Sequence, residues 1–268
     1  MLVVFTDLDG TLLDRDTYSF EAAVPALKNL EEAGVPVVLV SSKTRKEIEF
    51  WRQKLKNRYP FCVENGAAVV IPAGTLEVPG QVVHEGEYDV VEFGVPYRQL
   101  TIALKGAARE SGCRVRGFSD MAVHEISRHC DLPMEQAILA QARQYDEPFV
   151  ILKGDPDLLR LSIEKRHLRL TSGGRFFHIT GSNDKSDAVM LLIEAYRRQG
   201  QIRTIGVGDG PNDAGFLNLV DYPVLLDSPH AEEVRKQAPR ARMACAGPPG
   251  WNQALLEILS ELRATADC

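Results

Sequence analysis

The sequence predicts an α/β protein in which a doubly wound parallel sheet is interrupted by a second, α+β module. Apolar runs at residues 2–5, 37–40 and 204–207 have the continuous hydrophobicity of strands buried on both faces. Each is followed by a polar loop and then a helical segment, and repeated βα winding of this kind builds a parallel sheet. The winding style holds at both ends of the 268-residue chain and lapses between about 84 and 180. The expected division is a core of residues 1–83 and 182–268, with residues 84–181 as an inserted module.

The first strand breaks at the acid-rich turn that starts with Asp7. Leu27, Leu30 and Ala33 then mark a helical stripe that Gly34 can close. The second strand ends in Ser41-Ser42-Lys43-Thr44, where Thr44 and Glu47 have the spacing of a capping box for a helix carrying Ile48, Trp51 and Leu55. Residues 61–63 and 67–71 read as two strands joined through Glu64-Asn65-Gly66, an Asn-Gly turn. In the inserted module, strand-like runs at 90–93, 149–152 and 175–179 are separated by helices starting near Pro96, Asp120, Pro133 and Asp155-Pro156. Proline is favoured at the first helical position. From Asp184 come a helix over 184–199, the strand at 204–207, the loop Gly208-Asp209-Gly210-Pro211-Asn212-Asp213, and a short strand at 223–226. A closing helix carries Trp251, Leu255, Ile258, Leu259 and Leu262 at helical spacing, a core-packing stripe.

Composition narrows the function. With 37 acidic against 31 basic side chains and no long run of Lys or Arg, nucleic acid and anionic membranes are excluded as main partners. A small anionic substrate is not. No segment has the roughly 20 apolar residues of a membrane span, and the N-terminus lacks a signal peptide's basic start. Cys62, Cys113, Cys130, Cys245 and Cys268 show no CxxC spacing and an odd count, which fits reduced, inert thiols in a cytoplasmic protein. The sequence carries no signal for the oligomeric state.

Ligands of open α/β sheets bind beyond the carboxyl ends of the strands. The loops there, starting at Asp7, Ser41 and Gly208, bring together Asp7, Asp9, Asp209 and Asp213, whose mutual repulsion calls for a cation. Carboxylate oxygens suit Mg²⁺, which keeps waters and substrate phosphate oxygens for the rest of its octahedron. A Mg²⁺ phosphate site is the expected arrangement.

Asp7-Leu8-Asp9-Gly10-Thr11-Leu12 resembles the signature of the haloacid dehalogenase superfamily of phosphohydrolases. Ser41 at a strand end, Lys185, and Gly208-Asp209-Gly210-Pro211-Asn212-Asp213 match its second, third and fourth motifs in order. The resemblance implies a Rossmann-type core with a cap of the C2B variety, and an aspartyl-phosphate mechanism. It makes Asp7 the nucleophile and Asp9 the general acid and base. Mg²⁺ would be held by Asp7, Asp209 and the backbone carbonyl of Asp9, with Asn212 and Asp213 acting from the outer sphere or through water. Ser41, the Ser42 N–H and Lys185 would hold the phosphate.

Within that group the chain is similar to mannosyl-3-phosphoglycerate phosphatases at residues 41–47, 63–66, 143–149 and 172–178, while Gln144 and Ser186 depart from their pattern. This resemblance implies hydrolysis of mannosyl-3-phosphoglycerate to phosphate and mannosylglycerate, a compatible solute. Such a phosphorylated glycoside needs cations beyond the phosphate site. It also needs a polar wall for its hydroxyls, and Lys43, Thr44, Arg45, Arg143, Arg175 and His178 are the candidates for carboxylate and sugar contacts, with Arg matched to a carboxylate by its two-pronged geometry. His178 can equally be structural, and Glu64 and Asn65 can take sugar hydroxyls or shape their turn. A glucosyl-3-phosphoglycerate or other sugar-phosphate phosphatase, a phosphomutase, and a silent phospho-ligand binder are the other readings.

Overall fold

The computed structural model describes residues 1–173 and 175–266. In chain order the strands are β1 (Leu2–Thr6), β2 (Val37–Val40), β3 (Phe61–Val63), β4 (Ala68–Pro72), β5 (Val83–Glu85), β6 (Tyr88–Glu92), β7 (Arg114–Gly117), β8 (Asp146–Lys153), β9 (Arg169–Gly173), β10 (Phe176–Thr180), β11 (Arg203–Gly208), β12 (Tyr222–Leu226) and β13 (Arg242–Ala244). The helices are α1 (Val24–Glu32), α2 (Arg45–Lys54), α3 (Tyr97–Ser111), α4 (Val123–Cys130), α5 (Met134–Gln141), α6 (Pro156–Glu164), α7 (Lys185–Arg198), α8 (Ala214–Leu217), α9 (Ala231–Gln237) and α10 (Gly247–Ala266).

These elements fall into two compact units. The first comprises Met1–Ser41, Asn57–Val91 and the chain from Asp184 onward. Its nine-stranded sheet has the order β13-β12-β11-β1-β2-β3-β4-β6-β5. From β13 to β3 every pairing is parallel, and β3 turns back antiparallel onto β4. The chain runs outward from β1 through β2 and β3 on one side and from β11 through β12 and β13 on the other, so the order reverses at β1. Val3, Val4 and Phe5 are all fully buried, because β1 is covered on both faces. Val3 and Phe5 join Val38, Val40, Leu192, Phe216 and Leu225 in one apolar cluster. Full burial of a side chain of this size contributes about 1.5–3 kcal/mol.

The second unit comprises Ser42–Lys56 and Glu92–Asn183. It contains a four-stranded antiparallel sheet, β7-β8-β10-β9. Leu100 and Leu104 of α3 and Leu159 and Ile163 of α6 cover Phe149 and Ile179 of that sheet. Ile126 and Ala137, from α4 and α5, form a separate cluster with Phe118 and Phe176.

The α/β class with a doubly wound sheet and an α+β insert is as the sequence predicts, and the details correct it in several places. The run at 90–93, expected to open the insert, belongs instead to β6 in the large sheet, paired with the exposed strand β5. The compact insert therefore begins at Glu92 rather than 84, and α2 groups with it. Pro96 and Pro133 occupy the N-cap rather than the first helical position, and only Pro156 is at N1. The helix expected near Asp120 starts at Val123, after a 3₁₀ turn over Phe118–Asp120. The capping box before α2 is present: Glu47 N–H donates to Thr44 Oγ1 (3.1 Å) and Thr44 N–H to the Glu47 carboxylate (2.8 Å).

Cys62, Cys113, Cys130 and Cys245 are free thiols, and Cys268 lies outside the described residues. Burial pushes the Cys62 thiol up to about 12, which leaves it protonated and inert. Among the described residues no helix is long and apolar enough to cross a membrane.

Candidate active site

Three neighbouring strands, β11, β1 and β2, deliver their carboxyl-terminal loops to the point where the sheet order reverses. Asp7 follows β1, and its N–H donates to the Val207 carbonyl of β11 (2.9 Å). The Thr6 hydroxyl donates to the Asp7 carbonyl (2.8 Å) and accepts from the Trp251 indole N–H of α10 (2.9 Å). Trp251 of the predicted core stripe is thus also a strut beneath the Asp7 loop.

Asp7, Asp209 and Asp213 are all buried, and each offers a carboxylate oxygen within 4.8 Å of the others. The Asp9 carboxylate is not part of this converging set. Lys185, fully buried at the start of α7, donates to Asp7 Oδ1 (2.6 Å) and Asp213 Oδ1 (2.7 Å). The other Asp213 oxygen accepts the N–H groups of Asp209 (3.0 Å) and Gly210 (2.9 Å), so this side chain organises both the lysine and its own loop. The missing Cβ of Gly208 makes that possible, since one would lie 2.5 Å from Asp213 Cβ.

Electrostatics set the protonation states. Burial pushes the Asp7 carboxyl up to about 8; Lys185 opposes this, while Asp213, Asp209 and Asp9 add to it. Burial raises Asp209 in the same direction, and the Asp213 charge adds to it. Burial alone would lower the Lys185 ammonium, but Asp213 and Asp7 outweigh it and hold the group above its ordinary value. Lys185 is therefore a permanent cation in a surplus of acid. Three buried carboxylates around one lysine form a donor set of the hard-oxygen kind that divalent cations use.

The sequence missed three side chains here. Arg15 Nη2 lies 2.6 Å from Asp209 Oδ2, the Thr11 hydroxyl donates to Asp209 Oδ1 (3.2 Å), and Ser228 Oγ donates to the Asp209 carbonyl (2.6 Å). Nothing in their spacing points to Asp209, which lies 194 residues from Arg15.

The remaining candidates divide between the units. Ser41 is fully buried at the end of β2, and its carbonyl accepts from Asn65 N–H (3.0 Å). Glu64 is also fully buried. Asn65 accepts from the Asn212 side-chain amide (2.9 Å), which joins two predicted site residues directly. In the second unit, the Ser42 carbonyl accepts from Arg143 (3.1 Å) and the Thr44 hydroxyl donates to the Leu139 carbonyl (2.8 Å). Lys43 faces Glu47 (3.7 Å) and Arg45 pairs with Glu49 (3.0 Å). Arg143 and His178 share the buried Asp146, at 3.3 and 2.9 Å. Arg175 instead donates to the His129 carbonyl (2.8 Å), away from that cluster. Gly174, in the matching stretch at 172–178, lies outside the described residues. Sequence reasoning also passed over Glu147, fully buried and bound to the Tyr97 hydroxyl and to Ser119 N–H (3.1 Å) and Oγ (2.6 Å).

A buried lysine among three buried carboxylates is a costly arrangement to keep for stability alone, and at the switch point of a doubly wound sheet it marks an enzyme. The family model described as haloacid dehalogenase-like hydrolase matches residues 4–78. Over 278 aligned positions the chain is 38% identical to a glucosyl-3-phosphoglycerate/mannosyl-3-phosphoglycerate phosphatase of Methanococcoides burtonii, covering 97% of each protein. It is 38% identical to a mannosyl-3-phosphoglycerate phosphatase of Pyrococcus furiosus, covering 84% of this chain and 90% of that one. A solved sugar phosphatase of HAD subclass IIB shares the fold, with a TM-score of 0.64, 14% identity, and coverage of 96% of this chain and 99% of that one. The chain belongs to the haloacid dehalogenase-like hydrolases and is a hydrolase of phosphate monoesters.

Proposed function

We propose that this phosphatase acts on glycosyl-3-phosphoglycerates, with mannosyl-3-phosphoglycerate as the main substrate, and releases mannosylglycerate and phosphate with Mg²⁺ as its cation. The observation that carries the reading is the match along 97% of the chain to a relative named for both the glucosyl and the mannosyl substrate. An Asp7 carboxylate oxygen attacks phosphorus, the bond from phosphorus to the glycerate oxygen breaks, and Asp9 gives its proton to the departing alkoxide. Asp9 then takes a proton from water, whose oxygen attacks the aspartyl-phosphate and frees Asp7 and phosphate.

Asp7 must be anionic to begin, and burial, which pushes its carboxyl up to about 8 against the pull of Lys185, opposes that ionisation. Asp7, Asp209 and the Asp9 backbone carbonyl would hold Mg²⁺, with Asp213, whose two oxygens already serve Lys185 and its own loop, in the outer sphere; the cation would supply the positive charge that ionises Asp7 and offsets the phosphate dianion. The Lys185 ammonium, fixed by Asp7 and Asp213, adds a second positive charge, and Ser41 and the Ser42 N–H complete the phosphate cradle. In the second unit, Arg143 and His178, oriented by Asp146, are assigned to the glycerate carboxylate and the sugar, with Lys43 as a further cation.

The test is phosphate release from a panel with Mg²⁺. Mannosyl- and glucosyl-3-phosphoglycerate are expected to exceed simple hexose phosphates in kcat/KM by about 10²-fold or more, because a site built to pair carboxylate and hydroxyl groups rejects substrates that lack them. Equal rates across the panel would overturn the substrate while leaving the reaction standing. A further expectation concerns Arg15, whose guanidinium holds the Asp209 oxygen a cation needs. Arg15→Gln removes both the competitor and its repulsion, so calorimetric titration of the substrate-free protein should show tighter Mg²⁺ binding than in the parent. Unchanged or weaker binding would show that Arg15 does not compete.

A further inference from the structure

The turn between β3 and β4 is unusual in its backbone and in what it touches. Glu64, Asn65 and Gly66 have φ of +45°, +58° and +79°, three successive residues in the left-handed region, two of them with side chains. That conformation is sterically costly for residues other than Gly, and strain of this kind persists only where the surroundings enforce it. The turn meets three loops of the active site. The Asn65 N–H holds the Ser41 carbonyl at 3.0 Å. The Asn65 side-chain oxygen accepts from Asn212, in the loop that carries Asp209 and Asp213, at 2.9 Å. Gly66 packs against the residues that open α7: a Cβ there would lie 2.1 Å from the Asp184 carbonyl oxygen and 2.9 Å from Lys185 Cα.

We infer that Glu64-Asn65-Gly66 is a positioning clasp that sets the spacing of Ser41, Lys185 and the Asp209–Asp213 loop, and that Asn65 and Asn212 are positioning residues rather than contacts for sugar hydroxyls. The inference rests on the catalytic roles proposed above for Ser41 and Lys185. Its physical content is that three loops from distant parts of the chain share one rigid turn. Gly66 lies so close to Asp184 and Lys185 that no Cβ fits between them, and the Asp209 loop cannot drift without breaking the Asn212 bond. The strained φ values are retained because only this backbone path brings an N–H, an amide side chain and a Cβ-free surface to three sides of one turn.

The experiment compares Asn65→Gly, Asn212→Ala, the double variant and Gly66→Ala in the full chain. Glycine adopts φ +58° without steric cost, so Asn65→Gly should keep the parental melting temperature while losing the bridge to Asn212. Its kcat is expected to fall roughly two- to tenfold, the rate equivalent of one ordinary hydrogen bond, with KM unchanged. Asn212→Ala should match it, and the double variant should be no slower than either single one. Gly66→Ala, which pushes directly on Lys185, should lose about 10²-fold in kcat. Hydrogen exchange supplies a readout independent of turnover, since amides of the first turn of α7 and of residues 209–213 should exchange faster in each variant. A raised KM with unchanged kcat for Asn65→Gly would overturn the clasp and make Asn65 a substrate contact. Parental kcat and parental exchange in all variants would also overturn it. A parent protein that hydrolyses no member of the panel would overturn the proposed function instead, with the exchange measurements still deciding the clasp.

Discussion

Asp7→Asn is expected to lower kcat by roughly 10⁴- to 10⁶-fold, the scale seen when a covalent nucleophile is removed and binding alone remains. The amide keeps the shape of the side chain and can still meet Lys185, but it cannot form an acyl-phosphate. Rapid-quench experiments with a ³²P-labelled substrate should therefore show no label on the protein, where the parent shows a phosphoenzyme. A variant that still accumulates label would remove Asp7 from its role. Stability should move the other way. The folded-state pKa of Asp7, about 8, lies above its ordinary value of 3.8, so the fold disfavours the ionised group. That penalty is absent below about pH 3.8, grows as pH rises, and is complete above about pH 8. Without metal, Asp7→Asn should thus melt no lower than the parent at pH 5 and higher at pH 8.5. With Mg²⁺ the parent should gain more than the variant, because the metal selects the ionised carboxylate.

Lys185→Met carries the second large effect, and it falls on rate and stability together. Its ammonium is fully buried and bound to Asp7 and Asp213 at 2.6 and 2.7 Å. Methionine fills much of the volume but leaves the buried Asp213 carboxylate beside Asp7 with no cation. Breaking a buried pair from one side costs about 3–5 kcal/mol, and the lower end is expected here because Asp7 can relieve the repulsion by taking a proton. Denaturant titration at pH 7 measures the loss. The rate should fall by about 10²- to 10³-fold, the worth of one preorganised donor aimed at developing charge. A stable variant with parental kcat would show that Lys185 has no part in the chemistry.

The parts of this protein that could be read in the sequence are those in which local chemistry repeats. Strands β1, β2 and β11 announce themselves because burial on both faces leaves continuous apolar runs at their centres, and Asp7 and Asp209 stand just past the ends of β1 and β11. Lys185 is an ordinary helix lysine until its order relative to Asp7 and Asp209 is considered. The opposite case is β5, with Val83, His84 and Glu85 all exposed, where no alternation marks a strand and only pairing with β6 defines it. Arg15 and Thr11 share the same difficulty, since they act on Asp209 from 194 and 198 residues away, and Ser228 reaches it from the loop after the next strand, 19 residues on. In the second unit the residue types were legible and their engagements were not. Arg45 is held by Glu49 and Arg175 by a backbone carbonyl, while Arg143 and His178 converge on Asp146, an acid whose burial has no local signature.

The position of β1 also dictates an order of events during synthesis. This strand supplies Asp7 and lies between β2 and β11, yet β11 begins about 200 residues later, with Leu2 paired to Arg203. On the ribosome, the run LVVF must wait for most of the chain to emerge before it gains its second neighbour, and for Trp251 before the Asp7 loop is braced. Residues 92–183 need no such wait, since their sheet closes within their own span. The nascent enzyme is therefore expected to carry a finished inserted unit beside an unfinished, aggregation-prone centre, and to depend during that interval on whatever shields exposed apolar strands in the cell.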